Sequence, residues 1–284
     1  MISDNFYIFV TDSPDFGNTS QNVQILELFE SLNKFVSIEQ LSSTKSREES
    51  ELFNKNVLAI LNPLQNNPFK IPRRYGNLLD IPDDQNANQV LQFCDPHFNN
   101  NNWKSIKIEY DGNCLFNVFA TFLLGKHDAE MSKILRVYST FELINNIDFY
   151  KRDELCRGYL RHSDGKEADD QKIETEIIKE AKCCAQLGKF CGYIIFNAIA
   201  NILRRPIRLI HPILSNQVSL FLSPNIINII NENIIVPRKY TLPKPEETIH
   251  VLLCGTEQNV HVLRSGASWV PNHYVLLINK NPTS

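Results

Sequence analysis

No stretch of this chain approaches the roughly 18 consecutive apolar residues that a membrane-spanning helix needs. Positive charge is not in excess either: 29 Lys and Arg against 32 Asp and Glu leave a formal net charge of -3 over 284 residues. Without a basic field there is no electrostatic pull toward nucleic acid or an anionic membrane, and neither partner is expected. The opening residues, Met1 to Val10, lack a basic segment and have only a short apolar stretch, Tyr7-Ile8-Phe9-Val10, so they make a poor secretory signal. A disulfide framework is missing too. The seven cysteines are odd in number and scattered, which argues for reduced thiols and a cytoplasmic setting, either the protein's own or a host cytosol into which it is delivered. Cys183, Cys184 and Cys191 with His162 contain no Cys-x-x-Cys pair, and Cys184 falls on an apolar helical stripe. Buried thiols therefore account for them better than a metal site does, and no cofactor is expected.

The composition suits a globular protein with one sizeable core: 43% of residues are hydrophobic and 10% aromatic. Before residue 103 the pattern is uneven. A strand is possible at Phe6 to Val10, and Val23, Ile25, Leu26, Leu28, Phe29 and Leu32 have helical spacing within Gln21 to Phe35. Ser42 to Glu51 is polar, and Pro63, Pro68, Pro72 and Pro82 break up the residues beyond it. Residues 61–102 read as a linker or irregular arm, so residues 1–102 form an N-terminal region of unknown role and 103–284 the main domain.

From Trp103 the apolar periodicity is denser. Ile106 and Ile108 alternate with polar residues in a short strand that ends at the turn Tyr110-Asp111-Gly112-Asn113. Cys114 opens a helix running to Leu124 and closed by Gly125. Further helices are predicted at Ala129 to Asn145, at Glu167 to Leu187 and after Gly192 through Ile202, and strands at Pro206 to His211, His250 to Cys254, Val260 to Arg264 and His273 to Asn279. The apolar stretch Asn225 to Asn231 has no clean period. Helices first and antiparallel strands later give an α+β fold, a small antiparallel-rich sheet flanked by helices.

A cysteine acts as a nucleophile only as a thiolate, which a helix N-terminus favours through its unpaired N–H groups and dipole. Cys114 has that position, and Gly112 and Asn113 before it can take the tight or left-handed backbone that turns N–H groups toward a developing oxyanion. A lone cysteine at a helix start is more often a small buried hydrophobe. The segment Tyr110-Asp111-Gly112-Asn113-Cys114-Leu115-Phe116, however, closely resembles the nucleophile motif of the ovarian tumour (OTU) class of papain-like cysteine proteases, the OTU deubiquitinases. A second match lies later in the chain, in the right order: Asn272-His273-Tyr274-Val275-Leu276-Leu277-Ile278 is similar to the strand that opens with the family's histidine. Leu135-Arg136 and Leu203-Arg204-Arg205-Pro206-Ile207 also look like the family's intervening helices, so the resemblance spans about 103 to 280.

The resemblance implies a thiol protease with Cys114 as nucleophile and His273 as general base, acting on ubiquitin, polyubiquitin or a ubiquitin-like modifier. It also implies an Asn or Asp two positions after the histidine, and Val275 stands there instead. Substitutes are Asn272, Asp111, or an acid of the arm: Asp80, Asp83, Asp84 or Asp95. Asn272 precedes His273 on a strand and so points to the other face, whereas Asp111 suits bonding within its own turn. Trp269, Pro271 and Tyr274 are candidates to wall the channel for ubiquitin's tail, with Gly112 and Asn113 beside the scissile bond; Trp269 would equally fit as a plug at the core edge. His250 and His261 are rival bases without the family's flanking residues. Arg73-Arg74 and Arg204-Arg205 are too short for a nucleic-acid patch. A binding module that no longer cleaves, or a peptidase with other polypeptide substrates, are the competing expectations.

Overall fold

The computed structural model describes residues 20–39, 47–72, 76–99, 101–159, 169–212, 230–238, 248–255 and 272–281. The strands expected at Phe6 to Val10 and Val260 to Arg264, the greater part of the Asn225 to Asn231 stretch, and Trp269, Pro271, His162 and His261 lie outside them.

Nine α-helices and four strands are present among the described residues. α1 (Ser20–Glu39) and α2 (Arg47–Leu61) precede a stretch of short 3-10 turns and α3 (Gln85–Val90). β1 (Trp103–Ile106) leads to α4 (Cys114–Leu124), α5 (Ala129–Asn145), α6 (Ile147–Arg152), α7 (Glu154–Tyr159), α8 (Asp170–Cys184) and α9 (Ile194–Leu203). The chain then contributes β2 (Ile207–Ile210), β3 (Ile249–Cys254) and β4 (His273–Asn279). The sheet order is β1-β4-β3-β2. β4 is antiparallel to both β1 and β3, and only β2 runs parallel to its neighbour β3. This is the α+β architecture with a small, mostly antiparallel sheet.

Local chemistry sets the helix limits. Asp84, Asp128 and Asp169 cap α3, α5 and α8, each accepting a hydrogen bond from an N–H of the first turn. The Asp169 cap starts α8 three residues later than its apolar stripe suggested. α4 stops at Gly125, whose φ of 75° lets the chain leave the helix left-handed. α4 is buried along nearly its whole length, between the sheet and α5. One hydrophobic core joins Ile25, Phe29 and Leu32 of α1 and Phe53 and Val57 of α2 to α4, α5, α8, α9 and the sheet.

Residues 61–72 and 76–99 form an irregular arm that is docked. Asp83 bridges Ile106 on β1, the Asp84 N–H donates to the Ser105 carbonyl, and the Gly76 N–H donates to Leu124 at the end of α4. The arm thereby brings Asp84 to the β1 edge of the sheet, next to the segment that leads into Cys114.

Candidate active site

Three pieces of chain meet at Cys114: the loop Tyr110-Asp111-Gly112-Asn113, the N-terminus of α4, and the start of β4. Unlike α3, α5 and α8, α4 has no side-chain cap at its N-terminus. The Asn113 side chain is used elsewhere: its Oδ1 accepts from the Gly188 N–H (2.9 Å) and from Arg136 Nη2 (2.7 Å). The dipole and free donors of the first helical turn are thus left for whatever lies at Cys114.

Asp111 shapes the loop from inside. Its Oδ1 accepts from the Asn113 N–H (2.8 Å) and from Asn117 Nδ2 (3.1 Å), and its Oδ2 accepts from Asn113 Nδ2 (2.9 Å). Burial pushes this carboxyl up, but the bonds from Asn113 and Asn117 outweigh it and hold it below the usual carboxylate range. The Asn113 N–H therefore serves the Asp111 carboxylate, which leaves the N–H groups of Gly112 and Cys114 as the loop's candidates for an oxyanion. Gly112 has φ 75°, and a Cβ there would collide with the Gly188 carbonyl, so only glycine fits between the two loops.

Arg136 clamps these loops together. Its guanidinium, fully buried, donates to the carbonyls of Cys183 (3.0 Å), Cys184 (3.3 Å), Lys189 (3.2 Å) and Gly112 (3.4 Å), and to Asn113 Oδ1. Its flat face lies over Phe116, 4.4 Å from the ring centre. The sequence matched Arg136 to the family but did not disclose this task. The available signal was a cation inside a helix that buries Ile134, Leu135, Val137, Tyr138 and Phe141 around it.

The Cys114 thiol is 2% exposed. Burial pushes it up to about 11; the N–H groups of Tyr274 and Leu115 pull the other way, and Asp111 and Cys191 add to the rise. The nucleophile candidate thus abuts β4 one residue past His273. The imidazole of His273 is also buried, at 1% exposure, and burial pushes it down to about 4 against the opposing influence of the Ile108 carbonyl and the Asp111 charge. Burial thus favours the neutral thiol and the neutral imidazole alike in this conformation.

His273 Nε2 is buried and has no hydrogen-bond partner. The orienting side chains considered from sequence therefore do not meet it in this conformation. Asn272 is exposed, and its N–H donates to the Cys254 carbonyl. Val275 is fully buried. Asp84 caps α3, and Asp95 accepts from the His97 N–H. Asp80 accepts from Asn77, and Asp83 pairs with Lys104. The ring instead lies flat against Tyr110, with centroids 3.7 Å apart and planes 24° from parallel.

Tyr274 sits in the core rather than on a channel wall: it is 1% exposed, stacks on Phe190 (5.3 Å) and meets Phe196 edge-on (5.2 Å). The rival His250 belongs to a different cluster, packed 4.7 Å from Trp103. Cys191 lies 4.0 Å from Cys184, and all seven cysteines are free thiols.

A cysteine at an open helix N-terminus beside a strand that begins with histidine is an arrangement that nucleophilic thiol chemistry can use. The chain belongs to the family described as Vertnin, OTU domain, whose model matches residues 105–254, more than half of the sequence. The match contains the Cys114 segment, Arg136, α8 and α9, and stops before His273. No curated protein sequence matches the chain. Among solved structures it is similar to the OTU domain of OTUD1, at 17% identity over 68% of this chain and 93% of that one, with a TM-score of 0.34. It is also similar to the viral OTU domain protease from Farallon virus, at 12% identity over 64% of this chain and 86% of that one, with a TM-score of 0.37.

Proposed function

We propose that the protein is a cysteine-type deubiquitinase, with Cys114 as nucleophile and His273 as general base. The observation that carries this reading is the position of the Cys114 thiol, at the uncapped N-terminus of α4 and against the β4 backbone next to His273. Membership of an OTU family supports it, since OTU domains generally are deubiquitinases.

In the reaction, the imidazole takes the thiol proton and sulfur attacks the carbonyl carbon at the ubiquitin C-terminus. The S–C bond forms while the N–H groups of Gly112 and Cys114 receive the oxyanion. The C–N bond then breaks, and the imidazolium returns its proton to the departing lysine amine. Water, deprotonated by His273, hydrolyses the thioester. Both groups are buried, so ubiquitin binding must open the site. Seven free thiols accord with work in a reducing cytosol. We assign the chemistry to residues 103–284, with Asp84 of the preceding arm beside it.

The test is cleavage of isopeptide-linked diubiquitin by the full chain, with loss of cleavage in Cys114→Ala and His273→Ala. A second reading, a ubiquitin-binding module that does not cleave, draws on the unpartnered Nε2 and on Val275. Diubiquitin binding without cleavage at any pH from mildly acid to mildly alkaline would select it, and cleavage only of a ubiquitin-like conjugate would change the substrate but not the chemistry.

A further inference from the structure

The base of a thiol hydrolase needs its ring held in one plane, because a freely turning imidazole spends little time with a nitrogen aimed at sulfur. In this chain the residue two past the histidine is Val275, and Nε2 has no hydrogen-bond partner. We propose that Tyr110 is the positioning residue for His273, holding the imidazole by face-to-face stacking, and that Asp84 fixes Tyr110 in turn. The proposal rests on the deubiquitinase reading and supplies the part that reading lacks.

Stacking at 3.7 Å and 24° allows the ring to slide in its plane but not to flip out of it. The Ile108 carbonyl, two residues before Tyr110, approaches the same imidazole, so one short stretch of chain meets it twice. Tyr110 is held at its far end. Its hydroxyl donates to Asp84 Oδ2 (3.4 Å) and also meets Asn86. Asp84 has little freedom of its own: its N–H donates to the Ser105 carbonyl (2.9 Å), its carbonyl accepts from Ser105 Oγ (3.0 Å), and its Oδ1 accepts from the Ala87 N–H (2.9 Å). Only Oδ2 is left to face the phenol. Burial and the neighbouring Cys254 and Asp84 push the phenol well up, so it stays a donor at every working pH.

The arrangement also suits the charge that appears during the reaction. When the imidazole accepts the thiol proton it becomes a flat cation against an electron-rich face, a geometry that favours the cation. An orienting carboxylate gives the same help through a hydrogen bond; here it comes from stacking, with the carboxylate one residue removed. Tyr110 is 44% exposed, so it also forms the outer cover of a ring that is itself almost entirely buried.

Steady-state hydrolysis of ubiquitin carrying a fluorogenic C-terminal amide separates the contributions in the full chain. Tyr110→Phe, which keeps the stack, should leave kcat within about threefold of wild type, whereas Tyr110→Ala should lower kcat roughly ten- to hundredfold with KM within about threefold. Asp84→Asn, which still caps α3, should lower kcat a few-fold. Proton NMR gives a readout independent of activity: the ring protons of His273 should be shifted upfield by the Tyr110 ring current in wild type and Tyr110→Phe, and should return to ordinary positions in Tyr110→Ala. Equal kcat in Tyr110→Ala and wild type, equal losses in the Phe and Ala variants, or unshifted His273 protons in wild type would each overturn the proposal. A wild type with no turnover overturns the deubiquitinase reading instead, and the His273 shift then judges the stacking by itself.

Discussion

Arg136→Met tests whether the site is held in shape by a buried cation. The guanidinium of Arg136 has five carbonyl-oxygen acceptors on three stretches of chain, Gly112 and Asn113, Cys183 and Cys184, and Lys189, and reaches the Cys191 sulfur at 4.0 Å as well. Hydrogen bonds to a charged donor are worth about 1.5–3 kcal/mol each, and three of these five are 3.2 Å or shorter. Against that stands the cost of keeping a charge in the core, which the methionine would relieve. The balance is a destabilisation of about 3–4 kcal/mol, a large part of the roughly 5–15 kcal/mol by which a domain is stable. Arg136→Lys keeps the charge but replaces a planar fork with one ammonium, and should lose about 2 kcal/mol. Urea unfolding measures both, and amide hydrogen exchange should accelerate at 111–113 and 183–191 before it does elsewhere. A methionine variant as stable as wild type, or more stable, would refute the reasoning, because the clamp would then be worth no more than the burial of its charge.

The same geometry sets other expectations. Gly112→Ala combines a left-handed backbone with a collision at the Gly188 carbonyl and should cost roughly 2–4 kcal/mol. Calorimetry would show it, and a melting temperature equal to wild type would contradict the close approach. His211, His250 and His273 are each pushed down to about 4 by burial, so between pH 7 and 5 the unfolded chain takes up protons that the native one refuses. Stability should therefore fall as pH drops through 6.5, by about 1 kcal/mol per pH unit for each histidine. His250→Gln should shallow that slope, and a flat profile would contradict it. With the thiol pushed up to about 11, Cys114 in the protein without ubiquitin should react slowly with iodoacetamide at pH 7 and faster as pH rises. A rate already at its plateau near neutrality would mean a thiolate–imidazolium pair at rest.

The helix opened by Cys114, the helix Ala129–Asn145 and the strand His273–Asn279 were legible because each is bounded by strong local chemistry: the Asp-Gly-Asn turn, the Asp128 cap, and a run of apolar residues opened by a polar pair. α2 was not. Its first turn, with Glu48, Glu49 and Ser50, reads as polar surface, and its stripe of Phe53, Val57 and Leu61 is too sparse to stand out. α6 and α7 are six residues each and leave no periodic trace. The irregular arm was recognised, but not that it docks on β1, since the bonds that dock it are between backbone groups. At the site, the nucleophile segment could be read because its parts are contiguous. Asp84 and Tyr110 are 26 residues apart, Arg136 reaches 53 residues along the chain to Lys189, and contacts of that range have no local signature. The parallel pairing of β2 with β3 was equally invisible, because parallel and antiparallel strands share one side-chain alternation.

The central claim, that Cys114 is a nucleophile addressed by ubiquitin, is tested most directly with ubiquitin bearing an electrophilic C-terminus. Intact mass and peptide mapping of the folded full chain should show one adduct, on Cys114, absent from Cys114→Ala and much slowed in His273→Ala. Folded protein that forms no adduct, or forms it on Cys183 or Cys191, would contradict the claim.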